Sequence, residues 1–264
     1  VTRLTIATGV LKWTAMLCVV GLVLRNSPYF EIKKAEAAIV YENSTRVAFD
    51  AESDTTAFDA KTADNRILIV GVHSDGNNIL DVQYNSVSLT KLIDYTAGWT
   101  GNMELWYLVN PASGSNDLYV SVDGSQDTGY CAVVLSGIDT NDPIDVDAGG
   151  ATGASFAPSI AVNDTSANAM IVDFVAQDDG GDTIGDADGN QVEKQDGLAG
   201  AGAGDYSQAC SILDAGTGGN KTMSWTANED NNWDIVAVSI NQFTAPPAGE
   251  EPQVNRNFFH SFPF

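Results

Sequence analysis

The chain has 264 residues, 44% of them hydrophobic, and carries 12 Lys and Arg against 35 Asp and Glu for a net charge of −23. That length and apolar content exclude global disorder and allow one large or two small domains, each with a sizeable core. From Ala38 onward 7 bases face 33 acids, a balance that repels nucleic-acid phosphates and anionic lipid heads and favours divalent cations, saline surroundings or basic partners.

Residues 1–37 read as an export signal. Arg3 and Lys12 form a basic start, Trp13 to Leu24 is an uncharged run of 12, and Ala35-Glu36-Ala37 is a small-x-small site before Ala38. Twelve residues are short for a membrane span. The polar stretch from Arg25 to Lys34 departs from the usual signal, so a retained anchor helix starting near Leu4 is the alternative. A β-sandwich domain is expected over residues 38–243. Residues 244–264 form a Pro/Gly/Glu linker and an aromatic tail, Asn257-Phe258-Phe259-His260-Ser261-Phe262-Pro263-Phe264.

Within the domain, Ile39-Val40-Tyr41 and Val47-Ala48-Phe49 predict a first strand or an interrupted pair. Ala51 to Asn65, rich in Asp, Thr and Ala, predicts a loop. Arg66 to His73 is a strand apolar on both faces, and Asp75-Gly76-Asn77-Asn78 a turn. Asp81 to Thr90 holds two β runs about Asn85-Ser86, a two-residue hairpin turn because Asn tolerates positive φ. Asn102 to Ile138 contains three β runs split by turns at 111–116 and 124–127, the pattern of a meander. In the second run Leu118, Val120 and Val122 alternate with Tyr119, Ser121 and Asp123. The third is apolar on both faces, as a central strand would be. Asp139 to Gly153 predicts a long irregular connection. Further strands are expected at Ser159–Val162, Ala169–Ala176, Tyr206–Leu213, Lys221–Thr226 and Trp233–Ile240, with Asp/Gly-rich and Gly/Ala-rich loops between.

No capped 3.6-period stripe follows residue 38, and no fixed-period internal repeat is visible. Eleven or twelve short strands imply an all-β fold, a two-layer antiparallel β-sandwich of jelly-roll or concanavalin-like form with long Asp/Gly-rich loops. Four segments carry a resemblance: Ile67 to Val72, Val82 to Thr90, Leu105 to Pro111, and Val134 to Asp139. Over roughly residues 40–242 this succession of strands and turns resembles β-sandwich modules of large bacterial secreted and cell-surface proteins. The resemblance implies a secreted or surface-attached module. It transfers no functional residue, and Asn85-Ser86 stands where that pattern often has Asn-Gly.

Motifs for chemistry are sparse. Two histidines, His73 and His260, nearly exclude a His-based zinc site. Glu104 is the one Glu inside a confident strand and reads as a solvent-facing strand end. A Ser-His-Asp arrangement would need His73, which reads as a strand end within a turn, and no Gly-x-Ser-x-Gly elbow is present. The best metal candidate is a calcium loop of Asp178, Asp179, Asp182, Asp186, Asp188 and Asn190, where clustered hard oxygens and curling glycines suit Ca²⁺. Asp139, Asp142, Asp145 and Asp147 form a second acidic loop, and a solvated acidic face is the competing account of both. Trp99 and Trp233, at loop or strand starts, form a candidate sugar platform, whereas Trp106 and Trp225 sit mid-strand and belong to the core. Cys18 lies in the leader. Cys131 and Cys210 remain as an even pair that export allows to form a disulfide, with two buried free thiols as the alternative.

The sequence therefore predicts a non-enzymatic structural or adhesive module, secreted or at the cell surface, such as the subunit of an extracellular filament or coat. Its partners would be copies of itself or other extracellular proteins, with no nucleic acid, and with membrane only through residues 1–37 if uncleaved. A calcium-dependent carbohydrate-binding module that takes glycans is the alternative, and a sandwich hydrolase the third. Export should remove the leader: N-terminal sequencing of secreted material is expected to begin at Ala38. A mature chain that still carries Trp13 would rule cleavage out.

Overall fold

Apolar patterning decides which strands lie innermost. The computed structural model describes residues 38–96, 101–125, 127–178, 183–199 and 206–244; the expected export signal over residues 1–37, its expected cleavage site and the tail from 245 lie outside them. Four strands are apolar on both faces and buried along almost their whole length: β3 (Ile67–Asp75), β9 (Thr128–Ser136), β12 (Met170–Asp178) and β17 (Asn231–Ile240). Such strands need cover on two sides. The remaining strands supply it: β1 (Val40–Phe49), β2 (Ser53–Asp59), β4 (Ile79–Tyr84), β5 (Val87–Ser88), β6 (Thr90–Thr96), β7 (Gly101–Val109), β8 (Ser115–Val122), β10 (Ile144–Ser155), β11 (Ser159–Thr165), β13 (Gly185–Ala187), β14 (Val192–Ala199), β15 (Tyr206–Asp214) and β16 (Gly219–Ala227).

All strand pairs are antiparallel. One five-stranded sheet has the order β1-β9-β3-β7-β6, and a companion sheet the order β2-β8-β4-β5. The second half of the chain repeats this. β10-β17-β12-β15-β14 form five strands in the same relative order, with β11-β16-β13 as companion. β10 stands where β1 does, β17 where β9 does, β12 where β3 does, and so on through the half. Only β5 has no counterpart among the described residues. From Ile67 to Met170, the starts of the two middle strands, is 103 residues. Each of these strands is preceded two residues earlier by a left-handed asparagine, Asn65 at φ 53° and Asn168 at φ 62°.

The result is an antiparallel β-sandwich made twice and joined. In the first half Phe58, Tyr84, Leu118 and Val120 pack on Leu68, Val70, Trp106 and Val134. In the second, Ile160, Val162, Met223 and Trp225 pack on Ile171, Val175, Ile235 and Ala237. Between the two five-stranded sheets lies a third core, built from Ile67, Ile69, Leu105, Val133 and Leu135 against Val172, Phe174, Ile212, Val236, Val238 and Ile240. Here β1 meets β14 and β10 meets β6, while β9 meets β15 and β17 meets β7. Exchange of the halves turns each contact into its twin, as across a two-fold isologous interface.

The sandwich class and the two-residue hairpin are as the sequence implies. Asn85 and Ser86 take φ of 50° and 60° and join Tyr84 to Val87, the left-handed pair that a type I′ turn requires. The strand count is not: seventeen strands are described, not eleven or twelve. β2 occupies the segment read as a loop, and β10 runs through the expected irregular connection. β10 keeps its ladder to β17 with bulges between Ile144 and Val146 and between Asp147 and Gly149, where Gly149 takes φ 69°. Nor do β7, β8 and β9 form a meander. β7 and β9 flank β3 on its two edges, and β8 crosses to the companion sheet. The missing repeat has a physical reason: the halves share topology and burial, which many apolar residues satisfy, rather than residue identities.

The two-fold likeness breaks at its centre. Gly71 and Phe174 are the fifth residues of β3 and β12, and a Cβ at Gly71 would lie 2.1 Å from the Phe174 ring. Phe174 thus fills space that only glycine leaves open. Gly71→Ala should destabilise the protein by about 1–3 kcal/mol in denaturant titration, the usual range for an overpacked core. Combining it with Phe174→Leu should cost less than the two single changes summed. A neutral Gly71→Ala would contradict this packing.

Candidate functional site

Along the central strands every second side chain faces the middle core, so the core is laid down in levels. Three levels are apolar and the fourth is polar. β3 contributes His73, β17 contributes Asp234, and β15 contributes Gln208 and Tyr206, all buried. His73 Nε2 lies 3.9 Å from Asp234 Oδ2, across the gap between the sheets. The Gln208 amide donates to the Gly129 carbonyl at 3.1 Å and to the Gly71 carbonyl at 3.5 Å. The Tyr206 hydroxyl donates between the His73 and Asp127 carbonyls at 2.7 and 3.1 Å, and its ring meets the imidazole edge-on with centroids 4.2 Å apart. Gly101 gives the imidazole room, since a Cβ there would fall 2.5 Å from His73 Nε2. Each of these bonds links one half of the chain to the other or seats a group that does.

Burial sets the protonation of this level. It pushes His73 down to about 3 and Asp234 up to about 7. Among the described residues neither Asp234 oxygen has a partner in hydrogen-bonding geometry, and burial outweighs the opposite pull of the Thr152 hydroxyl on the adjacent β10. Burial thus favours the uncharged imidazole and the protonated carboxyl, the opposite of what an ion pair needs. The chemistry available is storage of one proton on a carboxyl sealed between sheets.

Two more buried carboxylates each hold a tryptophan. Asp173, on the outward face of β12, accepts from Ser211 N at 2.8 Å, Ser211 Oγ at 2.7 Å and Trp225 Nε1 at 2.8 Å, with Gln191 Nε2 at 3.4 Å. Burial raises it to about 6 against the pull of these donors. The bond to Trp225 ties the outer sheet of the second half to its central sheet. Glu104 accepts from Lys91 Nζ at 2.7 Å and Trp106 Nε1 at 2.9 Å. Its pKa is raised, burial outweighing the lysine and the indole. Glu104 is therefore not the solvent-facing strand end that the sequence suggests; it is 4% exposed. His73 likewise lies inside a strand and a core, not in a turn.

The calcium loop residues divide between layers. Asp178 ends β12 and pairs with Tyr206. Asp186 pairs with Thr226 in the outer sheet, and Asp188 accepts from the Thr226 hydroxyl at 2.7 Å. Asn190 is exposed. Asp179 and Asp182 lie outside the described residues, among which no group of three acidic, His or Cys side chains could hold a metal. In the second acidic loop the carboxylates bind backbone and hydroxyls. Asp139 accepts from Asn141 N, Asp147 from Gly149 N, and Asp145 from Ser166 and Ser239. Asp59 and Asp214 make the same two-residue turn with Lys61 and Gly216. Asp suits these four turns better than Glu, because the shorter side chain reaches its own backbone two residues on.

Trp99 lies outside the described residues. Trp233 is buried, its indole laid against Gly153 and its Nε1 bonded to Ser155 Oγ at 3.1 Å. Trp233 is therefore set into the sheet, where its strand-start position suggests exposure; a bulged, glycine-bearing neighbour strand is what admits the ring. Trp106 and Trp225 are core, as their mid-strand positions imply. Cys131 and Cys210 are buried free thiols that face each other across the middle core. Asp173 and Asp234 are open to sequence reasoning in one respect: Asp173 is a lone acid inside the apolar run Ile171-Val172-Asp173-Phe174-Val175, and Asp234 a lone acid near the start of another, Trp233-Asp234-Ile235-Val236.

No protein-family model matches the sequence, and comparison with curated proteins finds none similar. Among solved structures, a mutant of Bacillus subtilis oxalate decarboxylase aligns over 83% of this chain and 81% of its own, at 6% identity and a TM-score of 0.18. A likeness that low carries no argument about fold or chemistry.

Asp234 gives the site a pH signature. In the unfolded chain its carboxyl ionises near 3.8, whereas the folded chain keeps the proton to about 7. The folded state thus binds more protons between these values, and Asp234 lowers stability as pH rises through that window. His73 acts oppositely, lowering stability as pH falls from 6.5 towards 3. The difference between Asp234→Asn and wild type isolates the carboxyl. The variant should melt higher at pH 8, by the equivalent of a few kcal/mol, and the gain should shrink steadily as pH falls and vanish below about 3.8. A variant less stable at every pH would refute the assignment.

Proposed function

We propose that this chain is a non-enzymatic structural or adhesive module, secreted or at the cell surface, that serves as a building block of an extracellular assembly. The observation that carries this reading is the use made of its reactive groups. Asp173, Glu104, His73 and Asp234 are all buried inside the fold, where Asp173 ties the outer sheet of the second half to its central sheet through Trp225 and Glu104 holds Trp106 and Lys91 within one sheet. The chain carries a net charge of −23, so its exterior is strongly acidic and well solvated. A doubled sandwich with a shared core suits a rigid unit whose interactions lie on its outside. Leu80 on β4 and Val87 on β5, each more than half exposed at one edge of an outer sheet, are the apolar points such contacts would use.

Like-charged subunits repel, and salt or divalent cations screen them. Light scattering with negative-stain imaging of the purified protein should show ordered assembly that grows as sodium chloride or calcium is raised. Leu80→Asp with Val87→Asp should weaken it at least tenfold while leaving the melting temperature unchanged. A protein that stays monomeric throughout but binds on a glycan array would replace this reading with carbohydrate recognition.

A further inference from the structure

Cys131 and Cys210 sit in the third level of the middle core, on β9 of one half and β15 of the other. Cys131 is flanked across its sheet by Gly71, and Cys210 by Phe174. The side chains therefore meet beside the Gly71–Phe174 contact, at the centre of the two-fold-like interface. Both are fully buried and belong to the same core cluster. Their strands, β9 and β15, face each other directly, and no other cysteine belongs to the domain. This is an even pair in a chain whose sequence expects export, where disulfides form and persist.

We propose that Cys131 and Cys210 are a cross-link site, a disulfide that staples one half of the protein to the other. Formation removes two hydrogens: two thiols and one low-molecular-weight disulfide become the protein disulfide and two molecules of the small thiol. One thiolate attacks the small disulfide and releases a thiol. The second then attacks the mixed disulfide at the protein sulfur and releases the other. Burial holds the Cys210 thiol well above its ordinary pKa, which suppresses the attacking thiolate once the sheets have closed. The staple therefore forms while the halves are docking and is inert afterwards in either redox state.

The test uses the full chain with Cys18→Ser, so that only this pair is present. Protein refolded with oxidised glutathione should be 2 Da lighter than the reduced form, show no titratable thiol after denaturation, and yield one linked peptide pair containing Cys131 and Cys210. Native reduced protein given the same oxidant for the same time should keep both thiols. The stapled form should melt roughly 10 °C higher, the scale expected for closing a long loop in a domain of this size. Cys131→Val and Cys131→Ala with Cys210 retained should lose that gain, the valine variant guarding against a cavity effect. Two free thiols after oxidative refolding, or glutathione left on either cysteine in place of the link, would overturn the proposal.

Discussion

The packing of the β1-β9-β3-β7-β6 sheet onto the β10-β17-β12-β15-β14 sheet is the interaction on which the other layers depend. Ile67, Ile69, Val133 and Leu135 on one side and Val172, Phe174, Val236 and Val238 on the other leave no solvent between them. Each fully buried side chain of this kind contributes about 1.5–3 kcal/mol. Once the inner faces are joined, the outer faces of the same sheets are still apolar, and the two companion sheets cover them. Four layers and three cores follow from two sheets that cannot be wetted on either side.

That arrangement constrains every polar group inside it. A carboxylate under a companion sheet must find donors, and Asp173 has them in Ser211, Gln191 and Trp225. In the middle core the backbone amides are occupied by the ladders, so few donors reach inward. Asp234 consequently stays protonated towards neutrality instead of pairing with His73. Gln208 and Tyr206 show the alternative, side chains from one sheet capping strand carbonyls of the other. The end of the core is thus both its polar closure and its most pH-sensitive level.

Much of this was legible in the sequence, and the failures are local. Two-sided apolar runs announce β3, β9, β12 and β17, because burial on both faces leaves no alternation. The Asn85-Ser86 turn is legible because positive φ favours so few residues. β2 and β10 are not: Ser53-Asp54-Thr55-Thr56 and Ala148-Gly149-Gly150-Ala151 look like loop, and only their partner strands make them strands. The repeat is hidden for the same reason, since a core level accepts Ile, Val or Leu alike. Trp233 misled by position. A strand start suggests exposure, but Gly153 on the neighbouring strand opens a seat for its ring. In the second Asp-rich stretch, Asp139 and Asp147 bind their own turns, a use of the carboxylate that composition alone does not reveal.

The central claim is that two like sandwiches share one core and so rise and fall together in stability, whatever they assemble with outside. Native-state hydrogen exchange measures this directly, because amides opened only by global unfolding report the energy of the whole cooperative unit. The slowest exchange is expected in β3, β9, β12 and β17, with one common opening free energy across both halves. Two distinct plateaus, one for 38–136 and another for 144–240, would contradict it by showing that the halves unfold independently.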